Sequence, residues 1–240
     1  MKSLVVEPTR EALVQRVAQD FVEVVSEATR LNARVDIVLT GGSVCIDVLR
    51  EVGAIPAVSE IEWSKVRVWW GDERFVPAGH SDRNDHQASE ALLDSLPLRP
   101  EHMHPFPADD GQQLELALST FREEFDREFH GSPKFALVLN GMGQDGHVAS
   151  LFPNHNHGED GDFAVAVSNS PKPPTKRLSL TFSALNAGTH VWLIAAGEDK
   201  AASIARVMTG KPTPDVPATL LKGLQATTIY VDASAASELR

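Results

Sequence analysis

Apolar residues recur along this chain in two alternating rhythms. A short apolar start (Leu4 to Val6) leads to Thr9, which is placed to cap a helix carrying Leu13, Val17, Phe21, Val24, Val25 and Ala28. Those positions follow the 3.6-residue period of a helix with one buried stripe. Val35 to Leu39 reads as a buried strand, broken by Gly41-Gly42, with Ser43 positioned to cap the helix after it. The same grammar returns in Val66 to Trp70, a β-rich run ending at Gly71, followed by a polar loop and a helical stretch from about Asn84 to Leu93. A helix from about Gln112 to Phe129 would bury Leu114, Leu118, Phe121 and Phe125, and Phe135 to Leu139 is a strand ending in a glycine-rich loop. Later strands are predicted at Ala164 to Val167, Leu178 to Thr181, Val191 to Ala195 and Thr228 to Val231, with a helix from about Lys200 to Met208 between the last two.

Strands alternating with amphipathic helices predict an α/β sandwich built on a largely parallel sheet. No repeat, low-complexity tract or Gly/Ser/Pro linker divides the chain, so residues 1–240 are expected to form a single domain. Ligands of such sheets gather at the carboxyl ends of the strands. Three loops that follow predicted strands therefore matter most: Thr40 to Ser43, Gly71 to Pro77 and Asn140 to Phe152.

Composition narrows the function classes. The 240 residues include 22 basic and 33 acidic side chains, a formal net charge of −11, and one cysteine. That charge repels phosphate backbones and anionic lipid at long range, which argues against nucleic-acid or membrane partners but leaves room for a small basic pocket. One cysteine cannot form an internal disulfide, which favours a reducing compartment. Met1 to Arg10 lacks the apolar run of a secretory signal, and no stretch approaches bilayer-spanning length, so the expected address is the cytoplasm.

Each loop holds candidate chemistry. In Thr40-Gly41-Gly42-Ser43 two glycines let the backbone approach a ligand, and the following helix offers unpaired N–H groups to an anion; a plain turn with Ser43 as the cap is the competing reading. In Gly71-Asp72-Glu73-Arg74, Asp72 and Glu73 are candidate acids, bases or orienting groups, and Arg74 is able to grip a phosphate; the alternative is a surface ion-pair cluster. Gly141-Met142-Gly143-Gln144-Asp145-Gly146 satisfies G-x-G-x-x-G, but a dinucleotide site needs a helix opening at the loop, and Pro153 with the polar turn-forming run to Gly161 leaves little room for one. His147 next to it suits a general base that takes a proton from water, with Asp145 to orient it or to tie down the turn. Lys200 opens a helix, where a cation is unfavourable to the dipole unless an anion sits there too, and Arg177 precedes the Leu178 strand; both are candidate phosphate ligands.

Two H-x-H pairs, His102/His104 and His155/His157, have no further ligand at recognised spacing to complete a zinc site. Cys45 has no identified base and reads as a packed thiol. No G-x-S-x-G elbow is present.

Taken together, LTGGSVCIDVL (Leu39 to Leu49), VWWGDERFVP (Val68 to Pro77), LNGMGQDGHVASLFP (Leu139 to Pro153), KPPTKRLSLTFSALNAG (Lys172 to Gly188) and GEDKA (Gly197 to Ala201) resemble the 6-phosphogluconolactonase family. The likeness runs from Val35 to about Leu221, and the G-x-D-G-H core is shared with related glucosamine-6-phosphate deaminases. It implies a Rossmann-like three-layer α/β sandwich with a mostly parallel central sheet. It also implies hydrolysis of 6-phospho-D-glucono-1,5-lactone to 6-phosphogluconate in the oxidative pentose phosphate pathway, with no metal or organic cofactor. The implied partner is the small sugar-phosphate lactone, and the implied assembly is a monomer or small homo-oligomer. Residue by residue, His147 matches the family's proposed base. Gly41, Gly42 and Ser43 match its first substrate loop, and Arg74 and Lys200 match phosphate-contacting positions. Asp72, Asp145 and Arg177 match further motif positions. Val44-Cys45 stands where Thr-Pro often follows Gly-Gly-Ser, and Arg83 where Ser is common before Asn84. Two readings compete with the lactonase: an aldose–ketose isomerase/deaminase using Asp72 as a proton shuttle, and a non-catalytic sugar-phosphate sensor keeping Arg74 and Lys200.

Overall fold

A computed structural model describes residues 2–239. Its strands are β1 (Lys2–Glu7), β2 (Val35–Leu39), β3 (Val66–Trp70), β4 (Asp72–Arg74), β5 (Met103–His104), β6 (Phe135–Gly141), β7 (Ala164–Val167), β8 (Arg177–Leu180), β9 (Gly188–Ala195) and β10 (Ala226–Asp232). Its α-helices are α1 (Arg10–Leu31), α2 (Ser43–Ala54), α3 (Asn84–Ala91), α4 (Leu114–Phe129), α5 (Phe182–Leu185) and α6 (Ala201–Thr209). Seven strands form one sheet in the order β1-β10-β9-β6-β2-β3-β5, and every pairing in it is parallel. The α/β class with a mostly parallel central sheet is therefore as the pattern predicts.

Helices cover both faces. Tyr230 on β10 donates from its hydroxyl to Asp20 of α1 at 2.8 Å, which fixes α1 on one face. The neighbouring tryptophans of β3 point to opposite sides, as strand alternation requires. Trp69 packs against Phe121, Phe125 and Phe129 of α4, with ring centroids 5.0–6.2 Å apart, and its indole N–H donates to buried Asp36 at 2.9 Å. Aromatic side chains of this size bury about 150–250 Å² each, so this cluster clamps α4 to the sheet. Thr9 caps α1 through its hydroxyl, which accepts from the Ala12 amide at 3.2 Å, and the stripe Leu13, Val17, Phe21, Val25 is buried. Ala117 is buried on α4, whereas Leu118 is only partly covered.

Two features depart from the sequence-based expectation. The Gly71 to Pro77 segment is not all loop: β4, β8 and β7 form a separate three-stranded antiparallel sheet, in the order β4-β8-β7. Ser43 is not a helix cap; Gly42 occupies that position at φ 96°, a left-handed value that favours glycine, and Ser43 is the first helical residue with its side chain exposed.

The chain runs outward from the centre of the sheet in two directions, β2-β3-β5 one way and β6-β9-β10 the other. The β2/β6 border is thus a topological switch point, and the crevice at its carboxyl end is where such folds hold ligands.

Candidate active site

A cleft of about 490 Å³ opens at that border. Gly41, Gly42 and Ser43 reach it from the end of β2, Asp72 and Arg74 from β4, His147 from the loop after β6, Arg177 from β8 and Lys200 from the turn after β9. Asp145 stands behind His147 and does not line the cleft itself. Segments separated by more than a hundred residues are brought together because parallel strands deliver their following loops to one edge.

The β6 loop is a compact turn. The Gly143 amide donates to the His147 carbonyl at 3.0 Å and the Gly146 amide to the Gly143 carbonyl at 3.0 Å, while the Gly146 carbonyl accepts from the Ala218 amide at 2.8 Å. His147 lies against Phe152 with ring centroids 4.5 Å apart and is 16% exposed. Asp145 Oδ1 sits 2.5 Å from His147 Nδ1. That hydrogen bond, ahead of every other influence, holds the Asp145 carboxyl down to about 2, so it is an anion at neutral pH and demands a proton on Nδ1. The lone pair of the neutral ring is then on Nε2, which makes no hydrogen bond among the described residues. A carboxyl ¹³C titration is expected to give Asp145 a midpoint near 2, returning to about 3.9 in His147→Ala. Because the folded value is the lower one, the pair's stabilisation is present above about pH 4 and is lost as pH falls toward 2. A midpoint insensitive to His147→Ala would contradict the assigned cause.

β4 sorts its three side chains by alternation. Asp72 and Arg74 face the cleft and Glu73 turns away. Asp72 is 5% exposed; its Oδ2 accepts from the Ser150 hydroxyl at 2.6 Å and its Oδ1 from Asn84 Nδ2 at 3.2 Å. Arg74 donates from Nη1 to the Asp82 carbonyl at 2.5 Å and takes part in no ion pair among the described residues. Glu73, expected as an acid, base or orienting group, is buried instead behind the wall. Its carboxylate accepts from the amides of Arg74, Asn84 and Asp85 at 2.7–2.9 Å, anchoring the start of α3, and burial pushes its carboxyl above the ordinary range. Arg83 is also buried, donates to Asp85 and to the Phe106 carbonyl, and does not line the cleft.

Gly41 is where glycine is demanded by close approach. A Cβ there would lie 1.9 Å from Asn84 Oδ1, and Asn84 in turn donates to the Asp72 carbonyl at 2.8 Å. The β2 loop and β4 are thereby locked together. Asn84 lines the cleft and was not singled out from sequence, although it directly follows the Arg83 departure.

Five cations border the cleft in a protein of net charge −11: Arg10, Arg74, Lys172, Arg177 and Lys200. Arg10 and Lys172 escaped the sequence reading; Lys172 lies in the Lys-Pro-Pro motif, but Arg10 carries no motif at all. Arg177 spends Nε and Nη2 on the carbonyls of Pro174, Lys172 and Pro173 at 3.0–3.2 Å, and its Nη1 is 3.9 Å from Asp72 Oδ2. Lys200 Nζ sits 2.6 Å from Asp199 Oδ2, so an anion does accompany this cation at the helix start.

The remaining candidates resolve simply. Cys45 is buried, which pushes its thiol up to about 12, consistent with a packed side chain. His104 pairs with Glu124 at 2.7 Å and stacks on Trp69, while His155 and His157 bond to the carbonyls of Pro153 and Phe152. Among the described residues, no group of three or more His, Cys, Asp or Glu is arranged to hold a metal. No helix follows Gly146 before β7, so the G-x-G-x-x-G match lacks the element that a dinucleotide site needs. Among the described residues, no helix is long and apolar enough to cross a membrane.

Comparison with known proteins shows the family and the fold. Residues 8–230 match the family described as glucosamine-6-phosphate isomerases/6-phosphogluconolactonase. A Streptomyces coelicolor protein named 6-phosphogluconolactonase is 39% identical, covering 98% of this chain and 94% of that one. A Mycobacterium leprae protein of the same name is 36% identical, covering 95% of each. The solved 6-phosphogluconolactonase of Trypanosoma brucei superposes with a TM-score of 0.86 at 22% identity, over 100% of this chain and 99% of that one, which is a likeness of fold.

Proposed function

The chain belongs to the family of glucosamine-6-phosphate isomerases and 6-phosphogluconolactonases, and we propose that it hydrolyses 6-phospho-D-glucono-1,5-lactone to 6-phosphogluconate with His147 as general base. It is a hydrolase of the 6-phosphogluconolactonase type, the class of its relatives at 36–39% identity over nearly the full chain. Its place is the lactone-opening step of the oxidative pentose phosphate pathway.

The observation that carries the His147 assignment is the Asp145–His147 hydrogen bond, which leaves Nε2 as the basic atom of a side chain lining a cationic cleft. In this reading Nε2 removes a proton from water as the oxygen attacks C1 of the lactone. The imidazolium then donates that proton to the departing ring oxygen, so the imidazole returns to its starting state; the second proton of the water stays on the new carboxyl group, which ionises to solvent at neutral pH to give the carboxylate. Negative charge on the carbonyl oxygen is met by backbone N–H groups at the glycine loops. At the start of α2, the amides of Ser43, Val44 and Cys45 have no intrahelical acceptor. Such donors are worth about 3–4 kcal/mol in other enzymes. Arg74 and Lys200 hold the distant phosphate, turning its binding energy into positioning of C1. Arg177, tied to the carbonyls of residues 172–174, shapes the same wall, and Asp72 orients polar groups around the sugar.

Asp72 supports the lactonase over the deaminase reading. Both its oxygens are already hydrogen-bonded, to Ser150 and Asn84, which suits a fixed anchor better than a proton shuttle. The test is lactone disappearance above the spontaneous background, run beside ammonia release from glucosamine 6-phosphate. Lactone turnover without ammonia is the expected result. Ammonia release, or no acceleration of lactone opening, would overturn it.

A further inference from the structure

The cations of the cleft are not equally available. Arg74 Nη1 meets only a backbone carbonyl, whereas the Lys200 ammonium is held 2.6 Å from Asp199 Oδ2. The same oxygen accepts from Gln144 Nε2 at 2.7 Å, and Gln144 belongs to the turn that carries His147. Asp199 lines the cleft, with its side chain 44% exposed against 17% for Lys200. A carboxylate of the protein therefore occupies two donors that a phosphate oxygen would otherwise receive. This contact is a replaceable one, because ion pairs with a solvent-exposed partner contribute little to stability.

We propose that Asp199 moderates the site's affinity for phosphate: it competes for Lys200 and Gln144 and yields them to the substrate's phosphate. The proposal rests on the reading of Lys200 as a phosphate ligand. A phosphate dianion outcompetes a single carboxylate charge and gains both donors. A neutral lactone has nothing to displace it with and leaves Lys200 paired. The exchange lowers the affinity for phosphorylated ligands, because part of the phosphate's interaction energy goes into displacing Asp199. It also makes Gln144 the side chain through which phosphate arrival is felt by the His147 turn, whose Gln144 carbonyl is pinned by the Ser203 hydroxyl at 2.7 Å.

The test is a calorimetric titration with glucose 6-phosphate, a sugar phosphate without a lactone to hydrolyse, on wild type, Asp199→Asn, Lys200→Ala and the double variant. Asp199→Asn is expected to bind it about three- to tenfold more tightly at low ionic strength, through loss of a competing charge and of repulsion of the dianion. The gain should shrink near 1 M salt, where charges are screened within about 3 Å, and most of it should be lost in the Lys200→Ala background, where only relief of repulsion remains. Tighter binding is a result that damage to the fold does not produce. If Asp199→Asn binds equally or more weakly while Lys200→Ala binds less well, the phosphate reading stands and the competition is refuted. A gain of undiminished size in the double variant also refutes it. If Lys200→Ala leaves affinity unchanged, the phosphate reading of Lys200 itself fails.

Discussion

Replacing His147 by alanine is expected to lower kcat for lactone hydrolysis by about 10²–10⁴-fold, the usual contribution of a positioned general base. The cleft keeps its cations in that variant, so affinity for 6-phosphogluconate should stay within about threefold of wild type. The two effects separate because the base acts on the reacting carbon while Arg74 and Lys200 act on the remote phosphate. His147→Gln is a useful companion, since it retains much of the volume against Phe152 without a titratable nitrogen. Parallel losses in both variants, with affinity retained, identify the missing proton acceptor as the cause. Turnover at the wild-type rate in His147→Ala would mean that another group activates the water.

Gly143→Ala is expected to cost about 10²-fold in kcat without removing any reacting group. A Cβ at residue 143 would lie 2.0 Å from both Cε1 and Nδ1 of His147 and 2.6 Å from Asp145 Oδ1. Those distances are far inside contact, so the imidazole and its carboxylate partner must move. A misplacement of about 1 Å is enough for a loss of this size. The Gly143 amide meanwhile keeps the His147 carbonyl as acceptor, so thermal stability should fall by much less than activity. The variant is best read by kcat and thermal midpoint together. A large fall in midpoint with kcat intact would reverse the interpretation.

Much of this was legible in the sequence, for identifiable reasons. The α1 stripe from Leu13 to Val25 and the strands at Val35–Leu39 and Val66–Trp70 are long and periodic enough to declare themselves. The glycine-rich loops stood out because they interrupt that rhythm directly after strands, and the parallel sheet converts this sequence position into spatial neighbourhood. Other features carry no such signal. Asp72–Arg74 has three charged side chains and no apolar rhythm, so its role as a strand of the small antiparallel sheet comes from pairing with Arg177–Ser179, a hundred residues away. The direction of Glu73 follows from that pairing alone. Ser43 looked like a cap because serine favours that position, yet Gly42 in a left-handed conformation took it one residue earlier. Arg10 enters the cleft because the first turn of α1 packs beside α2, where it pairs with Asp47 at 2.5 Å, and nothing near it in the sequence announces this. Asn84 is a common polar residue until its fit against Gly41 gives it a task.

The placement of one proton underlies the proposed chemistry: on Nδ1 of His147, facing Asp145, with the lone pair on Nε2 facing the cleft. Ring ¹⁵N chemical shifts of selectively labelled histidine, assigned by comparison with His147→Ala and followed to a pH where the ring is neutral, report it directly. A protonated, pyrrole-type Nδ1 and an unprotonated, pyridine-type Nε2 are the predicted result. A neutral ring protonated at Nε2 would leave no base at the cleft and would contradict the account.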